Sequence, residues 1–173
     1  MEGVMTSANR VEAAHPAFLA ELERHRGIVL RVAATYCDDA AGRADLVQEI
    51  AAQLWRAWPK YDPARRLTTW MYRIALNVAI SFARDEGRHR RSTVPFDPEL
   101  HDVADTNVVD HGTDERLQDL QRFIASQAPI DRALLLLYLD ERPQAEIASI
   151  LGLSETNVST KIGRLKQRIR DTL

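Results

Sequence analysis

An all-α fold of two small helical domains joined by an acidic linker is predicted by three features of the chain. Apolar residues recur at helical spacing, with no convincing strand among them. A central stretch, "STVPFDPELHDVADTNVVDHGTDE", carries many Asp and Glu and no Lys or Arg. The C-terminal stretch reads helix, glycine turn, helix. These mark a flexible N-terminal extension over 1–15, a helical bundle over 16–91, a linker over 92–113 and a helix-turn-helix domain over 114–173.

The first domain opens on Phe18, Leu22, Val29, Val32 and Tyr36, which share one stripe. A second helix begins near Asp45, where Leu46, Ile50, Leu54 and Trp58 fall in register, and Pro59 ends it. "PKYDPARRLT" is a loop, with two prolines and a charge cluster. A third helix starts near Thr68, whose hydroxyl is placed to cap it, and continues to about Arg84. Leu67, Met71, Ile74, Val78 and Phe82 form its core face. The basic run "RDEGRHRR" follows, and the linker then reverses the sign of charge. Its early prolines and aperiodic apolar residues read as irregular chain.

Helical pattern returns with Leu117, Leu120 and Ile124 on one face. Pro129 opens the buried-helix-like "PIDRALLLLYLDERP", and Pro143 sits where the first turn of another helix tolerates it. In "AEIASILGLSETNVSTKIGRLKQR", Ala145, Ala148 and Ile150 permit close helix contact. Gly152 suits a left-handed residue, Leu153 plugs the gap and Ser154 is placed as a cap. Val158, Ile162 and Leu165 face inward.

The whole-chain numbers limit what this fold can do. With 173 residues, 45% hydrophobic and 28% charged, the chain suits one domain or two small ones. One cysteine, Cys37, excludes an intramolecular disulfide and a cysteine zinc cage. No apolar run approaches the roughly 20 residues of a membrane span, and the N-terminus lacks the apolar core of a signal peptide, so a cytoplasmic protein is expected. The five histidines show no metal-ligand spacing, and no Gly-rich loop cradles phosphates. Neither an enzyme nor a cofactor is expected. A formal charge of −2 argues weakly against nucleic acid, but the charge is unevenly distributed.

Two faces carry the functional reading. The second reading helix leaves Glu155, Thr156, Asn157, Ser159, Thr160, Lys161 and Arg164 outward or partly so. Short hydrogen-bonding side chains on its first turns suit base edges in a major groove. Lys166, Arg168 and Arg170 extend positive charge toward phosphates. The plainer alternative is a helical hairpin with a solvated polar face. In the first domain, Trp70, Arg73, Asn77, Ser81 and Arg84 share a stripe away from the core. An aromatic ring, arginines and an amide on one face suit single-stranded nucleic acid, against the alternative of a half-buried core tryptophan. Trp55 and Trp58 are better explained as core. On "DLVQEIAAQLWRAW", Asp45, Glu49, Gln53 and Arg56 line one surface with Gln48 beside them, either as a docking face for a protein or as solvated i, i+4 pairs.

"DLVQEIAAQLW", "TTWMYRIALN" and "AEIASILGLSETNVSTKIGRLKQRI", in that order and with an acidic linker between, resemble a bacterial RNA polymerase sigma factor of the extracytoplasmic-function (ECF) type. The resemblance covers about residues 16–91 and 114–173. It implies that Asp45, Gln48 and Glu49, flanked by Gln53 and Arg56, bind the β′ clamp of core RNA polymerase. It implies that the loop from Tyr61 to Thr69, with Arg65 and Arg66, and the helix positions Trp70, Tyr72, Arg73, Asn77 and Arg84 recognise and open a promoter −10 element. The final helix, from Ser154 to Arg164, then reads the −35 element as duplex, and the linker threads the polymerase cleft. The chain departs from the family in its thin acidic cluster before Asp45, where Gly42, Arg43 and Ala44 stand. Phosphorylation of a nearby hydroxyl such as Thr35 would restore roughly −1.5 to −2 charges there, so a regulatory kinase joins an anti-sigma factor as a candidate partner. The rival readings are a sigma mimic that binds an anti-sigma factor without reading promoters, and a dimeric repressor, for which no dimer seam is visible.

Overall fold

The computed structural model describes residues 7–92 and 113–172, with side chains over 15–86 and 115–172. The described residues form α-helices and one 3-10 turn, with no strand among them. The division between two compact units falls within the fourth helix, between Ala79 and Ile80, and Ser149–Gly152 groups with the first unit. The acidic linker expected over 92–113 lies almost wholly outside the described residues.

The first unit is built from α1 (Ser7–Arg24), α2 (Arg26–Tyr36), α3 (Ala40–Ala57) and the first half of α4 (Leu67–Ser92), up to Ala79. Residues 7–15, expected as a flexible extension, form the first half of α1. The stripe read as one helix is two, because the chain turns at His25 before α2. α2 packs on α3 through Val29, Val32, Leu46, Ile50 and Leu54, all buried. α3 starts five residues earlier than the pattern suggested. Asp39 caps it, accepting from the Gly42 amide at 2.7 Å. A 3-10 turn, Trp58–Lys60, follows with Pro59 in its first positions.

α4 departs from the sequence reading in phase. Its buried face is Met71, Tyr72, Ala75, Leu76, Ala79 and Ile80, whereas Leu67, Ile74, Val78 and Phe82 are half-buried. The true stripe is turned by about 100°, one residue's rotation. Small Ala75 and Ala79 lie fully buried on this face, which a search for large apolar residues overlooks. Thr68 lies inside the first turn rather than capping it, and the Arg66 carbonyl accepts from the Trp70 amide at 3.1 Å.

The second unit holds α5 (Thr113–Ser126), α6 (Pro129–Leu139), α7 (Gln144–Leu151) up to Ala148, and α8 (Glu155–Thr172). On α5 the buried residue is Phe123, while Leu117 is exposed and Leu120 and Ile124 are half-buried. Arg132 ties the start of α6 to the end of α5 by donating to the carbonyls of Gln127, at 3.0 Å, and of Ala125. Five consecutive residues of α6, Ala133–Leu137, are buried, and α6 packs against α8.

α6 and α7 end alike. The Arg142 amide donates to the Leu137 carbonyl and the Leu153 amide to the Ala148 carbonyl, each at 3.0 Å, around a left-handed residue. At Gly152 that conformation (φ +67) is natural; at Glu141 (φ 56) a side chain carries it. Among the described residues no helix is long and apolar enough to cross a membrane.

Candidate nucleic-acid interface

The reading helix α8 is positioned by local chemistry. Gly152 turns the chain, and the Ser154 hydroxyl accepts from the Asn157 amide at 3.2 Å, satisfying one of the free donors of the first turn. Val158, Ile162 and Leu165 are buried as expected, together with Ile147, Ala148 and Ile150 of α7; Ala145 is exposed instead. That burial leaves Ser154, Glu155, Thr156, Asn157, Ser159, Thr160 and Arg164 exposed. Lys161 departs from the set. It is half-buried, and its Nζ donates to Asp131 on α6 at 3.1 Å. Arg168 faces the other oxygen of the same carboxylate at 3.6 Å.

The stripe on α4 survives the change of phase, because it lies opposite the true core. Arg73, Asn77, Ser81 and Arg84 are exposed. Trp70 is half-buried within an aromatic group. Its ring lies 5.0 Å from Tyr61 and 6.1 Å from Trp58, and Tyr61 stacks on Trp58 at 5.5 Å with planes 16° apart. Trp58 in turn meets Phe18, and Phe18 meets Trp55. Trp55 and Trp58 are thus half-buried supports rather than enclosed core.

Tyr72 is a correction. It was expected among the residues facing DNA, but it is fully buried and its hydroxyl accepts from Arg31 of α2 at 3.1 Å. Two residues on from Trp70, it points about 200° around the helix, into the core.

The loop before α4 holds its own shape. The Tyr61 hydroxyl donates to the Arg65 carbonyl at 2.7 Å, the Arg65 amide to the Asp62 carbonyl at 2.9 Å, and the Ala64 amide to the Asp62 side chain at 2.9 Å. This is an Asx turn closed by a tyrosine. Arg65 and Arg66 are exposed, and Thr69 is half-buried.

On α3, Asp45, Gln48, Glu49 and Arg56 are exposed, and Gln53 is half-buried. Glu49 collects its neighbours, accepting from Gln53 at 2.9 Å and facing Arg56 at 3.7 Å. The residues before Asp45 serve the cap of α3. A Cβ at Gly42 would stand 2.9 Å from the Asp39 carboxylate, so a larger residue there would make the capping side chain shift. The Gly42 amide holds the Asp39 carboxyl below its ordinary value. Arg43 donates to the Asp38 carbonyl at 2.6 Å. Thr35, the candidate modification site, donates its hydroxyl to the Arg31 carbonyl at 2.8 Å.

Asp131 escaped the sequence reading. It stands 30 positions from Lys161, and no local pattern signals such a pair. Among the described residues no group of His, Cys, Asp and Glu is arranged to hold a metal ion.

Comparison with known proteins places both units. The Sigma-70 region 2 family matches residues 22–89, and the Sigma-70 region 4 family matches residues 117–169. The ECF RNA polymerase sigma factor SigE of Mycolicibacterium smegmatis is 29% identical over 164 residues, 94% of this chain and 63% of that protein. The probable RNA polymerase sigma factor RfaY of Xanthomonas campestris pv. campestris is 29% identical over 154 residues, 84% of this chain and 37% of that protein. This chain therefore spans less than two thirds of the length of these two relatives. Among solved structures, the sigma factor RpoE in complex with the anti-sigma factor NepR from Bartonella quintana shares the fold, with a TM-score of 0.68 at 18% identity over 90% of this chain and 96% of that one. With matches to regions 2 and 4 in order along one all-helical chain, the protein belongs to the ECF group of RNA polymerase sigma factors.

Proposed function

We propose that this chain binds core RNA polymerase and directs promoter-specific initiation, without catalysis or cofactor of its own, in the cytoplasm. The exposed face of α3, with Asp45, Gln48 and Glu49 and the flanking Gln53 and Arg56, docks on the β′ clamp. The loop Tyr61–Thr69 and the stripe Trp70, Arg73, Asn77 and Arg84 take the melted −10 strand, with stacking on an aromatic ring worth about 1–3 kcal/mol per base. The exposed turn-capped start of α8 reads the −35 duplex. A net charge of −2 fits this division, because polymerase supplies most of the phosphate affinity and the sigma subunit needs only local cations.

The observation that carries the proposal is the pairing, in one family member, of two separate polar faces: the Ser154-capped helix and the cation stripe on α4. A sigma mimic binding an anti-sigma factor would have no use for exposed Arg73, Asn77, Arg84 and Arg164. Control by an anti-sigma factor or by a kinase acting near α3 belongs to the same proposal. Transcription in vitro with sigma-free core polymerase on a library of promoter fragments tests it. A defined subset of fragments should give transcripts. Binding to core polymerase with no transcript from any fragment would favour the mimic.

A further inference from the structure

Asp131, in the first turn of α6, points its two carboxylate oxygens at two different cations of the reading helix. Lys161 lies at 3.1 Å and Arg168 at 3.6 Å. Around this bridge is a cleft of about 440 Å³ lined by Asp131, Lys161, Arg164, Gln167 and Arg168. Three cations and one carboxylate leave the cleft with a net charge of +2 by count of these five residues. The Lys161 and Asp131 side chains are 32% and 17% exposed, so the pair is shielded from bulk water but open to an incoming group.

We propose that this cleft is the seat of one DNA backbone phosphate at the edge of the −35 major groove, and that Asp131 is a built-in competitor for it. The inference rests on reading α8 as the −35 helix. The major groove is about 12 Å wide and an α-helix with its side chains is about 10–12 Å across, so a helix seated in the groove has phosphates along both flanks. Lys161, Arg164 and Arg168 follow one flank of α8 at successive turns, beside the exposed Thr160. A guanidinium pair and an ammonium group suit a phosphate's oxygens. In free protein the Asp131 carboxylate stands in for that phosphate and keeps Lys161 and Arg168 ordered. In the complex it remains as a like charge beside the phosphate, lowers affinity for every duplex, and so leaves base contacts a larger share of promoter choice.

The test measures binding of reconstituted holoenzyme to a −35-containing promoter duplex across a salt series. Asp131→Asn should tighten binding about three- to tenfold, the repulsion of two like charges some 6 Å apart in a partly solvated setting. It should also steepen the dependence of log K on log salt by up to about 0.9, the effect of one more unopposed positive charge at the seat. Asp131→Glu, which keeps the charge, should show neither change. Lys161→Gln should weaken binding, and Asp131→Asn on that background should gain little, because the two residues act through one contact. Replacing promoter phosphates one at a time with neutral methylphosphonate should abolish the Asp131→Asn gain at one position flanking the −35 element.

Unchanged or weaker binding by a folded Asp131→Asn protein, with an unchanged salt slope, overturns the inference while leaving the −35 reading intact. So does a gain that no single methylphosphonate removes. A gain already present with DNA-free core polymerase assigns the seat to an acidic protein residue and also overturns it. Sequence-independent binding by wild-type holoenzyme defeats the parent reading instead.

Discussion

Two glycines eleven residues apart make opposite predictions from one structural difference. A Cβ added at Gly152 or at Gly163 meets no atom within 4 Å, so neither substitution by alanine creates a clash. What separates them is the backbone. Gly152 has φ +67 in the turn before α8, and Gly163 lies within α8 itself. An L-residue forced into the left-handed region costs about 1–2 kcal/mol, whereas alanine in a helix interior gains about 0.8–1.0 kcal/mol over glycine. For a domain of this size 1 kcal/mol moves Tm by about 4–8 °C. Gly152→Ala should therefore lower the melting temperature by several degrees, and Gly163→Ala should raise it by about half as much. Far-UV circular dichroism follows the helices. A Gly152→Ala protein as stable as the wild type would refute the claim that this turn demands a left-handed residue. Equal losses at both positions would show that side-chain crowding, not φ, governs them.

Other substitutions separate structural from functional roles. Tyr72→Phe removes a buried hydroxyl bonded to Arg31 and should cost about 0.5–1.5 kcal/mol by urea denaturation, with promoter opening unchanged; a selective loss of opening would return Tyr72 to the DNA-facing set. Trp70→Ala should spare closed-complex formation and impair melting, seen as lost permanganate reactivity in the −10 region, and equal damage to both steps would count against that division. The lowered pKa of Asp39 means that its cap on α3 stabilises the fold above the ordinary carboxylate range and that this contribution fades as pH falls through the lowered value. Asp39→Ala should flatten that acid limb in a stability-versus-pH series, and an unaltered limb would remove the cap from the account. Glu141→Gly should relieve left-handed strain at the end of α6 and raise stability by up to about 1 kcal/mol, measurable in the same denaturation series.

What could be read from the residues in advance was what local chemistry dictates. Gly152, Leu153 and Ser154 announce turn, plug and cap within three positions, and the inward set Val158, Ile162 and Leu165 follows from helical periodicity. The phase of α4 was not legible, because Leu67, Met71, Ile74, Leu76, Val78 and Ile80 surround the helix and offer several apolar stripes. Only tertiary packing selects one, the face that also holds Ala75 and Ala79, and Tyr72 changes from a surface residue to a core residue with that choice. The start of α3 was missed because the cap lies outside the apolar pattern: Asp39 signals it by polar chemistry alone. The Asp131 bridge to Lys161 and Arg168 joins separate helices and leaves no trace at any local spacing.

The claim on which the account depends is that two helical units, each a weak reader of DNA alone, become a promoter-selective pair on a large enzyme. Titrating labelled protein with sigma-free core polymerase, followed by fluorescence anisotropy in the absence of DNA, tests this most directly. The account predicts saturable one-to-one association that weakens when Asp45 and Glu49 are replaced by alanine. No association at any polymerase concentration, with the protein unmodified or phosphorylated, would contradict it.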